Sequence, residues 1–192
     1  GTWTAAQILA EGGIPTTTTT AASSPSAGKY WWSFDGSNDS LLSGNIGITN
    51  AATVIVAGVI NAIGVSQDVF AEDAGGLQFY ISAAGALVLN KAGIAVLATS
   101  ADGVIVAGVP FVITARLSGG TAVIRKIGAQ VATNATAHTF SATTGARIGT
   151  GFDGVILPLG GAIGWVVPLP TALSDADCLT VERLVGSQFP GM

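Results

Sequence analysis

An all-β, two-sheet antiparallel sandwich is the fold this sequence predicts, and three observations predict it. About a dozen short apolar segments are separated by glycine-rich turns. Helical periodicity is almost absent until the last twenty or so residues. The 192 residues are 49% hydrophobic, enough to close a sizeable core as one unit, yet only 9% are charged, against roughly 25% in ordinary soluble domains.

The first 28 residues differ from the rest. Thr4 to Ala10 suits one or two helical turns capped by Thr4, which Gly12, Gly13 and Pro15 then stop. The threonine run Thr16–Thr20 and the Ser/Ala/Pro/Gly stretch after it have no means of forming a core. Residues 1–28 are therefore expected to be an extended arm or linker, and 29–192 the sandwich.

From Lys29 the texture becomes β. Strands are expected at Tyr30–Phe34, Ser40–Leu42, Thr53–Ile60, Asp68–Ala71, Leu77–Ser82, Ala86–Asn90, Ile94–Thr99, Pro110–Leu117, Thr121–Lys126, Ala146–Ile148, Val155–Leu157 and Ala162–Val167. Leu117-Ser-Gly-Gly-Thr121 reads as a hairpin, because glycine supplies the positive φ of a tight turn. Pro168 and Pro170 break the last strand. Ser174 or Asp175 then caps a helix running to Gln188, with Ala176, Leu179, Val181, Leu184 and Val185 at helical spacing. Asp175 and Asp177 suit its N-terminal dipole, and packing is expected across an edge or end of the sandwich.

With so few charges, the surface must be Ser, Thr, Asn, Gly and Ala, which lets another protein approach with little desolvation of charge. That points to self-association. The net charge of −4 includes no basic stripe, so no nucleic-acid partner is expected. Cys178 is the only cysteine, which excludes an internal disulfide, and its setting is that of a small buried apolar residue. The apolar run Ala51–Val65 is β-branched, interrupted by Gly58, Asn61 and Gly64, and shorter than the ~20 residues of a span, so it reads as a buried strand without membrane insertion. The start of the sequence carries no secretory leader pattern.

Three stretches taken in order resemble one family. Ser33-Phe-Asp-Gly-Ser-Asn-Asp-Ser-Leu-Leu42 resembles the opening F-D-G-x-x-D-Y-L motif of concanavalin A-like, laminin-G-like jelly-roll domains of phage and bacterial surface proteins. Arg147-Ile-Gly149 followed by Gly160-Gly-Ala-Ile-Gly-Trp-Val-Val167 is similar to their penultimate strands. Leu173-Ser-Asp-Ala-Asp177 through Glu182-Arg-Leu-Val185 to Phe189-Pro-Gly191 is similar to their closing helix. Ser40, Gly164, Leu184 and Phe189 depart from the residues usual at those positions, which bears on ligand more than on fold. The resemblance implies a concanavalin A-like jelly roll over about residues 30–191. It also allows calcium at a sandwich rim, where Asp35, Asn38 and Asp39 are the densest oxygen cluster. The same three residues suit a plain turn.

Catalytic machinery is not evident. Glycoside hydrolysis needs two carboxylates facing one cleft. The glutamates are Glu11, Glu72 and Glu182, and Glu72 and Asp73 are adjacent, so on a strand they would face opposite ways. His138 is the only histidine, and with one cysteine it supplies no closed zinc site. Trp31 and Trp32 are adjacent, so one faces inward and the other outward, where it suits either sugar stacking or a subunit contact. Trp165 suits the core. The function expected is non-enzymatic: a structural virion protein, such as a phage fibre, tail or capsid-decoration component, that self-associates as a homo-oligomer, attaches through its arm to other virion proteins and sits on the virion surface. The alternative is a carbohydrate-binding host-recognition or adhesin module, on a bacterial surface or secreted, with Trp31 and Trp32 against a cell-surface glycan.

Overall fold

Alternating burial along twelve antiparallel strands builds the molecule, described by a computed structural model over residues 31–135, 138–141 and 143–188. The strands are β1 (Trp32–Asp35), β2 (Leu41–Gly44), β3 (Ala52–Ile60), β4 (Gln67–Glu72), β5 (Leu77–Ile81), β6 (Leu87–Lys91), β7 (Ala95–Thr99), β8 (Phe111–Ser118), β9 (Thr121–Lys126), β10 (Ala129–Asn134), β11 (Gly145–Ile148) and β12 (Gly160–Leu169). They form two six-stranded sheets, ordered β1-β12-β3-β8-β9-β10 and β2-β11-β4-β5-β6-β7, with helix α1 (Asp175–Gly186) after the last strand. The expected arm, its helical turns and Tyr30 lie outside the described residues.

One core lies between the sheets. Val54, Val56, Phe111, Ile113 and Leu117 from the first sheet meet Phe70, Leu77, Phe79, Leu87 and Leu89 from the second. A smaller cluster of Ile55, Ala57, Val112 and Val167 lies on the other face of the first sheet, under Val185 of α1. β3 is thus buried on both faces, which is why Ala51–Val65 reads as an unbroken apolar run. No helix among the described residues is long and apolar enough to cross a membrane.

The β8–β9 hairpin turns at Gly119 (φ 55°) and Gly120 (φ 88°), between the paired Ser118 and Thr121, as the Gly-Gly dipeptide predicts. The helix is capped by Ser174, whose hydroxyl accepts from the Asp177 N–H at 3.1 Å.

Four expectations need correction. Strand β10 was not foreseen; its Ala-Gln-Val-Ala-Thr-Asn sequence has little apolar alternation because it is a sheet edge, mostly exposed and held by β9. Val155–Leu157 is not a strand but part of the β11–β12 connection. There Asp153 Oδ1 accepts from the Val155 and Ile156 N–H groups, both at 2.9 Å, and Leu157 takes φ 52°. β12 runs through Pro168 to Leu169, because among the described residues β1 pairs only with Gly160–Ile163, so no ladder partner on that side of β12 calls for the N–H that proline lacks. Finally, α1 covers the outer face of the first sheet, against β3 and β8, rather than an edge or end of the sandwich. Its buried stripe is Cys178, Glu182 and Val185, while Leu184 is exposed.

Candidate functional site

The two sheets differ in what their outer faces carry. On the first, helix α1 is docked by a buried ionic network. Glu182 accepts from Thr114 Oγ1 at 2.8 Å, Arg125 Nε at 2.9 Å and the Gly128 N–H at 2.6 Å. Asp175 joins at the rim, accepting from Arg116 at 2.7 Å and Arg125 at 3.1 Å. Cys178 lies in the same seam, its thiol held up by burial. This face is committed to packing.

The second sheet presents an outer face of another kind. Strand register lines up Leu42, Arg147, Ala71, Gln78, Asn90 and Val96 across all six strands. The next row holds Asp68, Tyr80, Val88 and Thr99. A bulge between Asp68 and Phe70 keeps Asp68 and Ala71 on this face while Val69 and Phe70 enter the core. Gln78 Nε2 donates to Asp68 Oδ2 at 2.8 Å, and Asn90 Nδ2 donates to Gln78 Oε1 at 3.1 Å. The result is a polar chain across three strands. At its two ends, Asp68 Oδ1 and Asn90 Oδ1 are buried with no hydrogen-bond partner among the described residues.

The β11–β12 connection, residues 149–159, is folded over this row. The Asp68 N–H donates to the Leu157 carbonyl at 2.8 Å, and a β-carbon on Gly151 would sit 2.9 Å from Asp68 Oδ2. Phe152 reaches across to Gly93, where a β-carbon would meet its ring at 3.3 Å, and the Arg147 guanidinium lies against Gly154. Burial pushes the Asp68 carboxyl well above the usual carboxylate range, against the Gln78 hydrogen bond and with a further push from Asp153. Tyr80 is raised as well, by burial and by Asp68. Asp153 is lowered by the Ile156 and Val155 N–H groups it accepts from. The face thus combines amide donors and acceptors, a guanidinium, a buried carboxyl and two half-buried rings. Such a set hydrogen-bonds and stacks on a polar, uncharged or weakly acidic ligand.

The residues singled out from sequence lie elsewhere. Trp31 and Trp32 do face opposite ways, but both are half-buried. Trp32 packs on the inter-sheet core and Trp31 on the cluster under α1, together with Trp165. Asp35, Asn38 and Asp39 form the β1–β2 turn, where Asp35 Oδ1 accepts from the Ser37 N–H at 2.7 Å and Asp39 Oδ2 from the Asp35 N–H at 3.0 Å. No group of three His, Cys, Asp or Glu side chains suited to a metal occurs among the described residues. Glu72 is buried and raised by desolvation, accepting from the Leu77 N–H and Thr143 Oγ1, both at 3.0 Å. Asp73 is lowered by its bonds from Thr144 and Gly145, so the two adjacent acids brace one turn rather than face a cleft. His138 is a half-buried loop residue, its ring edge-on to Phe140 at 5.3 Å. Sequence reasoning missed Asp68, Gln78 and Asn90. Their one signal is polarity at outward positions of otherwise apolar strands.

No protein-family model and no curated protein matches the sequence. The architecture, however, is that of known sandwiches. The CBM40 module of Ruminococcus gnavus IT-sialidase, solved bound to α2,3-sialyllactose, superposes with a TM-score of 0.61 at 14% identity, over 77% of this chain and 96% of that one. The heptameric SAP-like pentraxin of Limulus polyphemus gives 0.59 at 17% identity, over 78% and 80%. The NanB sialidase of Streptococcus pneumoniae gives 0.61 at 16%, over 77% of this chain and 27% of that enzyme. At these identities the likeness is one of fold: the chain is a concanavalin A-like jelly roll, as the resemblance in its sequence implied.

Proposed function

We propose that this protein is a carbohydrate-binding module, with its glycan seated on the outer face of the second sheet beside residues 149–159. The observation that carries the reading is the Asp68–Gln78–Asn90 chain, whose end oxygens are buried and unpartnered. An unsatisfied buried polar atom costs about 1–3 kcal/mol and is retained where a ligand or an ordered water completes it. A polyhydroxyl ligand donates and accepts at each hydroxyl and so matches such a mixed set. The solved CBM40 module bound to sialyllactose supports this reading over the virion-structural one. Binding without hydrolysis is further supported by Glu72 and Glu182, both committed to buried hydrogen bonds. Calcium is no part of the proposal.

The test is calorimetric titration of the intact chain with a panel of neutral oligosaccharides and sialyllactose, beside Asn90→Ala and Arg147→Ala variants. Loss of a ligand-facing hydrogen bond costs about 1–3 kcal/mol, so each variant is expected to weaken the best ligand at least about fivefold without lowering the melting temperature by more than a few degrees. No binding across the panel would overturn the reading. Loss with Trp31→Ala or Trp32→Ala but not with Arg147→Ala would move the site to the first sheet.

A second reading, self-association, is favoured by a specific surface. Edge strand β7 and its turn expose the apolar side chains Ile94 (64%) and Val96 (57%) beside a backbone edge on which Asn134 Nδ2 donates to the Leu97 carbonyl at 2.7 Å, and such an apolar edge-strand surface suits contact with another copy. On that reading light scattering gives a mass above the 19.0 kDa of one chain, and Val96→Lys returns it to the monomer value. A monomer throughout removes it.

A further inference from the structure

We propose that residues 149–159 form a strap that stays closed over the polar row only while the Asp68 carboxyl carries a proton, and that lifts when the proton is lost. The inference concerns regulation of the site just described, and rests on that reading only for what the strap uncovers.

The geometry is that of a closed device resting on one side chain. Asp68 is fully buried although it lies on an outer sheet face, and what buries it is the strap: Gly151 over its carboxylate and the Leu157 carbonyl on its N–H. The strap holds its own shape by Gly151 N–H to Ile156 O at 2.7 Å, Leu159 N–H to Gly149 O at 2.8 Å, and Asp153 bonded to two N–H groups. To seat the Leu157 carbonyl, a leucine adopts φ 52°, a left-handed conformation that costs a non-glycine residue about 1–2 kcal/mol. The ends of the strap are anchored, with Thr150 and Leu159 buried and the Gly36 N–H on the Leu159 carbonyl at 3.0 Å. Between them it is strained at one point and held to the sheet by the Asp68 bond, by Arg147 Nε on the Phe152 carbonyl at 3.4 Å and by Phe152 against Gly93, so the middle of the segment is what opens locally.

Among the described residues, nothing in the closed state neutralises an ionised Asp68. One oxygen accepts only from a neutral amide and the other is unpartnered. The groups facing it are Tyr80 from β5, Asp153 from the strap and the neutral Asn90 beyond Gln78. Arg147, from β11, reaches the strap but acts on Asp153 and Asp73. Asp153 is a like charge. An anion buried in this setting is better hydrated, and lifting the strap hydrates it.

The sign follows from linkage. With the strap lifted, Asp68 titrates in the ordinary carboxylate range; closed, its value is raised by burial. The proton-dependent part of closure is therefore complete below that ordinary value and is lost as pH rises towards the closed-state value. Over that interval the opening constant grows about tenfold per pH unit, then levels off.

Hydrogen exchange on the full chain without any ligand reads the opening directly, through the protection factor of the Asp68 amide, whose bond to the Leu157 carbonyl crosses from the sheet to the strap, once the intrinsic pH dependence of exchange is divided out. Expected is a fall of about tenfold per unit from the carboxylate range upward. Asp68→Asn should abolish the fall. A flat profile in the wild-type chain, or the same slope in Asp68→Asn, overturns the proposal. Should Asp68→Asn fail to fold, Asp153→Asn decides: it keeps a capping oxygen and removes the like charge, so the levelling-off moves to lower pH. An unmoved profile overturns the strap. Since no glycan is present, failure here leaves the titration of the site untouched, and failure of glycan binding leaves the exchange result standing.

Discussion

Glu182→Ala is expected to lower the free energy of unfolding by about 3–5 kcal/mol, the usual cost of removing one partner of a buried ion pair. The side chain is fully buried and fills three donors' needs at once, from Thr114, Arg125 and the Gly128 backbone. Deleting it leaves Arg125, itself 5% exposed, with the rim carboxylate of Asp175 and the Gly128 carbonyl, and leaves a buried hydroxyl and an N–H unsatisfied. For a chain of this length, thermal unfolding should then shift down by roughly 6–20 °C. Pairing Arg125→Met with Glu182→Leu should recover much of the loss, because the apolar pair no longer strands a charge. A single-variant shift of only a degree or two would mean that α1 is held by Val185 and the apolar seam alone.

That network also marks the limit of what could be read from sequence. Helical spacing located α1, with Ser174 or Asp175 as its cap, but the expected stripe was apolar, whereas the face that docks carries a glutamate. Only the register of β8 and β9, which sets Thr114 and Arg125 side by side under the helix, gives that glutamate its partners. Strand β3 was readable because both its faces are buried and its apolar run is continuous. Edge strand β10 was not, because only Val131 and Ala132, adjacent rather than alternating, pack on the core and the rest of the strand is exposed.

The candidate site was least legible for the same reason. Asp68, Gln78 and Asn90 belong to three strands and make no motif; cross-strand pairing alone assembles them. The tryptophan pair was conspicuous in sequence, yet both rings spend much of their surface on packing. The resemblance carried more than any single residue did. Its opening and penultimate motifs, more than a hundred residues from one another along the chain, come into contact where Phe34 lies on Gly149.

That contact carries the second large effect. Gly149 sits at φ 89°, just past β11 at the root of the strap, and a β-carbon there would overlap the Phe34 ring. Phe34 is 3% exposed and part of the inter-sheet core, so its ring has little room to yield. Gly149→Ala should therefore cost twice: about 1–2 kcal/mol for a left-handed alanine, and about 1–3 kcal/mol for forcing a packed ring aside. Gly103→Ala separates the two contributions. Gly103 also has positive φ (72°), but a β-carbon there meets nothing within 4 Å, so only the backbone part applies. Denaturant unfolding of both variants should show Gly149→Ala the more damaging by the ring term, and Phe34→Leu should narrow the gap by opening space beside the new methyl. Equal losses would mean that the opening motif does not lock onto the end of β11. The Leu159 N–H to Gly149 O bond that roots the strap would then lack its rigid seat, leaving the Asp68 N–H on the Leu157 carbonyl, Arg147 Nε on the Phe152 carbonyl and the Gly36 N–H on the Leu159 carbonyl to hold it.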